Sequence, residues 1–376
     1  MSKYYHDTQK EVIMPTESCY AGVNFRRGFG SDNHSGVHPE IMKALNEVNQ
    51  GHVIAYGNDG VGIIAKNEFG EHFGFQFGVY FVFNGTAANV LALRFIADPW
   101  SAIICARESH LCNHECGAPE RIGGWKLLPV PTQDGKITVE EIKKHLFDRE
   151  DVHASQANVL SIAQPTELGT VYTIEELKKI RTFCDENRIK IHMDGARFIN
   201  AAEHLGVELK ELSIFADVLS FGGTKKGLLF GEAVLVTRYF RGAHFLQKQT
   251  LQLASKERFI SAQFERLLRD DLWKEIARHE NTCARSIAER LKPYELITVL
   301  EPVEANMVFM KVPKEWIRGR VFEEFNLSPL PGTDNVLRVV TSWDTTEDDI
   351  DALIFLCDRK SRMKTMFEDL SIINRM

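Results

Sequence analysis

The feature of this chain that most restricts its fold is a repeated alternation of strand-like and helix-like stretches through its middle. VYFVFNGTAANVLALRFIA runs from a β-branched and aromatic stretch through Asn84, Gly85 and Thr86 into an apolar-periodic helix. SAIICARESH reads as a second buried strand, and TVEEIKKHLF as a helix opened by Thr138, with Glu141 three residues on completing a capping box. NVLSIAQPTELGTVY predicts a strand ending in a loop, TIEELKKIRTFCDENR a helix, and IKIHMDGAR and ADVLSFGG two further strands. Strands that alternate with helices run largely parallel, so an α/β domain is expected over residues 40–255, after an N-terminal segment, 1–39. Beyond it, LASKERFISAQFERLLRDDLWKEIARHENTCARSIAERL has the periodicity of long helices, and NMVFMKV and VLRVVTSW read as strands. Residues 256–376 are therefore expected to form a smaller C-terminal α+β domain.

Charge narrows the partners. A formal net charge of -7 gives no electrostatic reason for nucleic acid or an anionic membrane surface to bind. No apolar run approaches the ~20 residues that span a bilayer, and MSKYYHDTQKEVIMPTESCY has no signal-peptide core, so a cytoplasmic address is expected. Seven cysteines without a paired spacing suggest reduced thiols. A small molecule, or a second copy of the chain, is the expected partner.

In an open parallel sheet, ligands collect beyond the carboxyl ends of the strands. The residues at those places are Gly85, Thr86 and Ala87 at a helix start, His110, Gln164 and Thr166, Asp194 and Arg197, and Thr224 and Lys225. Each has an ordinary reading: an N-cap, a core histidine, a cap for the next helix, an ion pair between Asp194 and Arg197. Together they supply a phosphate cradle, an aromatic plane, an anion, a cation and an amine on one rim, which is the set that pyridoxal phosphate requires. Its aldehyde needs a lysine of lowered pKa, its pyridine nitrogen a carboxylate, for which Asp194 is suited, and its phenolate oxygen a donor, for which Arg197 is suited. His110 is suited to cover the ring. Two adjacent lysines, Lys225 and Lys226, follow Gly222, Gly223 and Thr224, and either could supply the amine.

Seven motifs in order, SDNHSGVHPEIMKAL, FNGTAANVLAL, ESHLCNHECGAPE, QPTELGTVY, IHMDGARFINAA, SFGGTKKGLLFGEAV and LRVVTSWDTTEDDID, resemble the low-specificity threonine aldolases of the β-eliminating lyase group. The resemblance spans residues 24–355 and implies fold type I of the pyridoxal phosphate enzymes, with a mainly parallel seven-stranded sheet and a small C-terminal α+β domain. It assigns the cofactor-binding lysine to Lys225 and marks Lys226 as a departure, since relatives commonly carry asparagine there. Ser31 and Arg338 match the groups that hold the substrate carboxylate, with Arg197 beside them, and His110 and His153 match the candidate bases. Gly222 and Gly223 are expected to let the backbone approach the cofactor closely, and Thr224 to add a hydroxyl to the phosphate site.

The implied reaction is retro-aldol cleavage of a β-hydroxy-α-amino acid to glycine and an aldehyde, at a site between subunits of a homodimer or homotetramer. Related lyases, racemases, transaminases or an idle cofactor-binding protein are the alternatives. AYGNDGVGI departs from the wording usual in that group. Cys105, His110, Cys112, His114 and Cys116 lack paired C-x-x-C hooks, so no metal site is expected. Gly57, Gly60 and Gly62 do not open a helix after a strand, which argues against a dinucleotide fingerprint.

Overall fold

The computed structural model describes residues 26–373 apart from 75–77, 148, 238–239, 241, 301 and 331, with side chains described as far as 362. Seven strands form the main sheet: β1 (Gly78–Val82), β2 (Ser101–Ala106), β3 (Lys126–Val130), β4 (Gln156–Ala163), β5 (Lys190–Gly195), β6 (Val218–Gly222) and β7 (Glu232–Val236). Their order is β1-β7-β6-β5-β4-β2-β3. Only β7 runs against its neighbours, pairing antiparallel with both β1 and β6, so the carboxyl ends of the other six share one edge.

Two of these strands were not separated in the sequence. In β3, Pro129 disguises the pattern, and β3 lies at the sheet edge, where a missing backbone donor costs least. In β7, the residues continue the apolar run that follows Lys226 and return beside β6. The capping signals form as expected: Glu141 accepts from the Thr138 N–H at 2.7 Å, and Thr173 and Glu176 close a second box.

Helices cover both faces of the sheet. Helix Gly60–Phe73, capped by Asp59, and helix Arg258–Leu268 bring Phe69, Phe73 and Phe264 against Phe81 of β1 and Phe221 of β6. Ring centroids lie 5.2 Å apart for Phe73 and Phe221 and 5.4 Å for Phe81 and Phe264. Removing one such ring from a packed core costs about 3–5 kcal/mol. The strand that leads to Lys225 is therefore firmly rooted. Gly60 does open a helix, but among the described residues no strand precedes it.

The second core gathers around an antiparallel sheet ordered β10-β9-β8, with β8 (Thr298–Val299), β9 (Met307–Lys311) and β10 (Val336–Val340). The border between the cores differs from the expected 255/256 division. Helix Arg258–Leu268 belongs to the first core, and the long helix Leu272–Leu291 crosses between them, with Trp273, Ile276 and Ala277 in the first and Cys283, Ala284 and Ile287 in the second. The physical reason is that the apolar faces of both helices meet the large sheet's covering layer before the chain leaves it. The N-terminal segment also contributes. Phe29 is buried in the second core, its N–H bonding to Phe325 and its carbonyl accepting from Val340, each at 2.8 Å. Among the described residues no helix is long and apolar enough to cross a membrane.

Candidate active site

The turn after β6 sets the site. Residues Thr224–Lys226 form one 3-10 turn, and Gly227 ends it at φ 85°, a conformation that favours glycine. A Cβ on Gly222 would lie 2.4 Å from the Ala196 carbonyl oxygen, and one on Gly223 2.6 Å from that of Gly231. These glycines thus admit close approach of the chain's own backbone. The Thr224 hydroxyl accepts from the Gly231 N–H at 3.1 Å.

Adjacent in sequence, the two lysines have opposite surroundings. Lys226 is fully buried, and its Nζ donates to Glu280 and lies 3.8 Å from Asp32. Lys225 is half-buried, and among the described residues no carboxylate is within ion-pair distance of its amine. Burial, and next the charge of Arg197, pull the Lys225 ammonium below its ordinary pKa, against the opposing pull of Asp32, Asp194 and Glu232. An amine so placed is readily deprotonated, as a nucleophile must be.

Asp194 ends β5 beside Ser220 of β6. One of its oxygens accepts from the Ala196 N–H at 3.0 Å and the other from Asn89 at 2.8 Å. Burial alone would raise its pKa, but His192, His110, Lys225 and the Asn89 bond outweigh that and hold the carboxyl below the usual range. His192 sits beneath it, bridging Ser161 at 2.9 Å and Ser220 at 3.0 Å, with burial pushing its pKa down to about 4. It is therefore a neutral imidazole at physiological pH. Asp194 remains the half-buried anion on this rim.

His110 opens the short helix His110–Asn113 and directs Nδ1 to Glu115 at 2.9 Å, a hydrogen bond that raises the imidazole's pKa. Its backbone N–H donates to Glu167 at 2.6 Å. Burial raises both carboxyls, that of Glu167 to about 7. Asn89 donates to Glu115 at 2.7 Å as well as to Asp194, so one amide joins the two acids. The nearest ligand atoms of His110, Glu115 and Asp194 lie within 4.8 Å of one another, and they are bound together by these hydrogen bonds. The described cysteines are free thiols, and Cys105 lies buried in β2.

His153 is not brought to this place. It is exposed in the turn before β4, whereas the site gathers beyond that strand's carboxyl end, where Ala163 pairs with Asp194. Eight residues at ~3.3 Å each put about 26 Å between the two ends. A histidine that precedes its strand falls at the wrong edge of the sheet.

The anion-holding side is built across the two cores. Arg197 pairs not with Asp194 but with buried Asp32, through Nε at 2.7 Å and Nη2 at 2.9 Å. Asn306 adds a third donor to Asp32 at 3.0 Å. Although burial opposes it, Arg197, then Lys226 and Lys225, hold the Asp32 carboxyl well below the usual range. Ser31, one residue earlier, accepts from the Asn33 N–H at 3.2 Å. Arg338 on β10 is half-buried, and among the described residues its guanidinium has no hydrogen bond or ion pair. Burial and the like charge of Arg197 pull its pKa down. Two guanidiniums that feel each other's charge, one of them without an anion among the described residues, could hold a carboxylate.

The start of helix Gly85–Ile96 is the place that could hold a phosphate. Asn84 caps it by accepting from the Ala87 N–H at 2.9 Å, which occupies one of the three expected donors. The first turn leaves the N–H groups of Gly85 and Thr86 without intrahelical acceptors, and a Cβ on Gly85 would meet no atom within 4 Å. The space and donors there fit a phosphate, and together with Lys225, Asp194 and His110 they fit pyridoxal phosphate.

Asp32, Glu115, Glu167 and Glu280 were not anticipated as site residues. Glu115 and Glu167 follow the carboxyl ends of β2 and β4, the one positional signal that could have found them, whereas Asp32 and Glu280 reach the site only through the packing of the two cores.

Comparison with known proteins agrees with this geometry. Residues 28–314 match the family described as beta-eliminating lyase. The low specificity L-threonine aldolase of Pseudomonas aeruginosa is 41% identical over 325 residues, covering 84% of this chain and 93% of that protein. A protein of the same name from Pseudomonas sp. is 39% identical over 324 residues, with 85% and 93% covered. Among solved structures, the Leishmania major threonine aldolase superposes with a TM-score of 0.84 at 28% identity, over 89% of this chain and 100% of that one.

Proposed function

The chain belongs to the beta-eliminating lyase family, and from that premise we propose that it cleaves L-threonine, L-allo-threonine and related β-hydroxy-α-amino acids to glycine and an aldehyde. The observation that carries the reading is the Lys225 amine: without an ion pair among the described residues, lowered in pKa, and acted on by the charges of both Arg197 and Asp194.

Pyridoxal phosphate, when bound, supplies the electron sink for the pair released as Cα–Cβ breaks. Gly85 and Thr86 would hold its phosphate, Asp194 would face its ring nitrogen, His110 would cover the ring, Arg197 would meet its phenolate oxygen, and Lys225 would hold its aldehyde. Arg338, with Ser31 and the remaining Nη1 of Arg197, grips the substrate carboxylate and fixes rotation about the Cα–N bond, so that Cα–Cβ is the bond held upright. His110, donating Nδ1–H to Glu115, keeps Nε2 as a base for the β-hydroxyl proton. The tautomer is the one that the Glu115 carboxylate selects.

The reading includes self-association. Val53, Ile54, Tyr56, Ile63 and Ile64 expose apolar side chains around the start of helix Gly60–Phe73, Ile54 to 70%. A second copy packed there makes the homodimer or homotetramer that the family resemblance implies. The free thiols of the described cysteines support the cytoplasm as its compartment.

The decisive experiment records the visible absorption of the purified protein with L-threonine, L-allo-threonine and glycine, assays acetaldehyde in the same cuvette, and runs Lys225→Ala beside it. A cofactor band that is lost in the variant, with acetaldehyde from the wild type, supports the reading and ranks the diastereomers. A band dependent on Lys225 without acetaldehyde would move the assignment to a racemase or transaminase, and no band after adding pyridoxal phosphate would overturn it.

A further inference from the structure

Lys226 has no part in the chemistry above, yet it is among the most buried side chains of the protein. Its Nζ donates to Glu280, midway along the helix that crosses between the cores, and lies 3.8 Å from Asp32 of the N-terminal segment. Each carboxylate leads to one of the arginines. Asp32 spends both oxygens on Arg197. Glu280 accepts from Asn200 at 2.8 Å, in the helix that starts just after Arg197, and its backbone carbonyl accepts from the Thr341 hydroxyl at 2.7 Å. Thr341 lies three residues beyond Arg338, and its N–H donates to Asn306, whose amide in turn holds Asp32. The circuit closes on the residue next to Lys225. Its four charged members, Asp32, Glu280, Arg197 and Lys226, sum to zero, and without the lysine two buried carboxylates would share one cation.

We propose that Lys226 and Glu280 are positioning residues that set the grip of Arg197 and Arg338 on the amino acid's carboxylate relative to the amine of Lys225. The inference rests on the aldolase reading and names residues to which that reading gives no role. Neither residue touches substrate or cofactor; both act through Asp32 and the Thr341 end of β10. In Lys226→Met, Asp32 and Glu280 repel and the Arg197 clamp loosens. In Glu280→Gln, Lys226 keeps only Asp32 as a counter-charge and competes with Arg197 for it.

The test measures glycine binding to the cofactor-loaded protein by its visible spectrum, the KM and kcat for L-threonine, and the melting temperature, for wild type, Lys226→Met, Glu280→Gln and the double variant. Each single variant is expected to retain the cofactor band, to weaken glycine binding and raise KM by about tenfold, as for one hydrogen bond to a charged group, and to keep kcat within about threefold. The double variant should fall near the single ones, because both remove the same link. A folded variant with a lower melting temperature but glycine affinity within twofold of wild type would show a structural role alone and overturn the proposal, as would single effects that multiply in the double. Should Lys226→Met fail to fold, Glu280→Gln and the double variant, which restores charge balance, decide the matter by the same criterion. A wild type that neither binds glycine nor releases acetaldehyde overturns the aldolase reading together with this inference; altered variants beside an active wild type concern the inference alone.

Discussion

On one side of the turn that ends β6, charged groups stand unpaired; on the other, each has a partner. Lys225 has no counter-ion among the described residues, Arg338 has none, and the helix start at Gly85 offers bare N–H groups to open space. One residue further, Lys226, Asp32, Glu280 and Arg197 form a closed, neutral network of buried ion pairs. Burial is costly for both sets. The difference is that the charges of the network are paired by folding alone, even though one Glu280 oxygen stays without a hydrogen bond among the described residues, whereas Lys225 and Arg338 are left for ligands to pair. A fold reveals where it binds by the polar groups that it buries and leaves without partners.

Substitution on the unpaired side should therefore cost activity with little stability, and on the paired side both stability and the substrate grip that the network positions. The largest expected effect is that of Lys225→Ala, which should lower acetaldehyde release from L-threonine by more than about a thousandfold while leaving the melting temperature at or above that of wild type. A variant that melts far below wild type would break the comparison, since it would show Lys225 to be part of the frame. Next comes Asp32→Asn, which leaves Arg197 and Lys226 with one carboxylate less in a buried setting. It should destabilise the protein by about 3–5 kcal/mol in denaturant unfolding. The folded-state pKa of Asp32 is depressed, so its contribution is present above the unfolded value and is lost as pH falls through the folded one. The stability gap between Asp32→Asn and wild type should accordingly narrow in strong acid.

Arg338→Ala sharpens the contrast within a single residue type. Arg197 is clamped by Asp32 and Arg338 by nothing among the described residues, and the proposed reading gives both to the substrate carboxylate. Arg338→Ala should raise KM for L-threonine by about 10–100-fold, the range of a charged hydrogen-bonded pair, with little change in melting temperature. Equal losses of stability and affinity would mean that Arg338 has a structural partner after all.

How much of this was legible in the sequence follows the same division. Strands β1, β2, β4, β5 and β6 were readable because apolar strands alternate with capped helices, and the candidate site groups Gly85, His110, Asp194 and Lys225 were readable because they lie at or after the carboxyl ends of those strands. The exception is Arg338, on a strand of the second core, which only the family resemblance marked. Of the paired groups, Arg197 and Lys226 were marked but their carboxylate partners were not. Asp32 and Glu280 are 248 residues apart and meet only because helix Leu272–Leu291 bridges the cores, a contact that no local periodicity encodes. Glu115 and Glu167 were passed over because a carboxylate in a loop reads as solvated until burial is known. His153 was misplaced for the converse reason: it resembled a catalytic histidine by neighbourhood in sequence, while the strand that follows it carries the chain away from it to the opposite edge.

The smallest expected effect probes the one pair that lies between the two sides, His110 and Glu115. His110 is open to the site through Nε2 and satisfied by the protein through Nδ1, and the Glu115 hydrogen bond is the first cause of its raised pKa. As a base it must be unprotonated, so cleavage should rise with pH through that value. In Glu115→Gln, the ring loses its anionic partner and its pKa falls, so the acid limb of the kcat/KM profile should move to lower pH, by about one unit or less. The sign is what matters: a limb that stays in place would assign the titration to another group, with Glu167, held at about 7 by burial and bonded to the His110 backbone, the first to substitute next. A downward shift with unchanged melting temperature would place Glu115 with the reactive groups, and one accompanied by unfolding would place it with the frame.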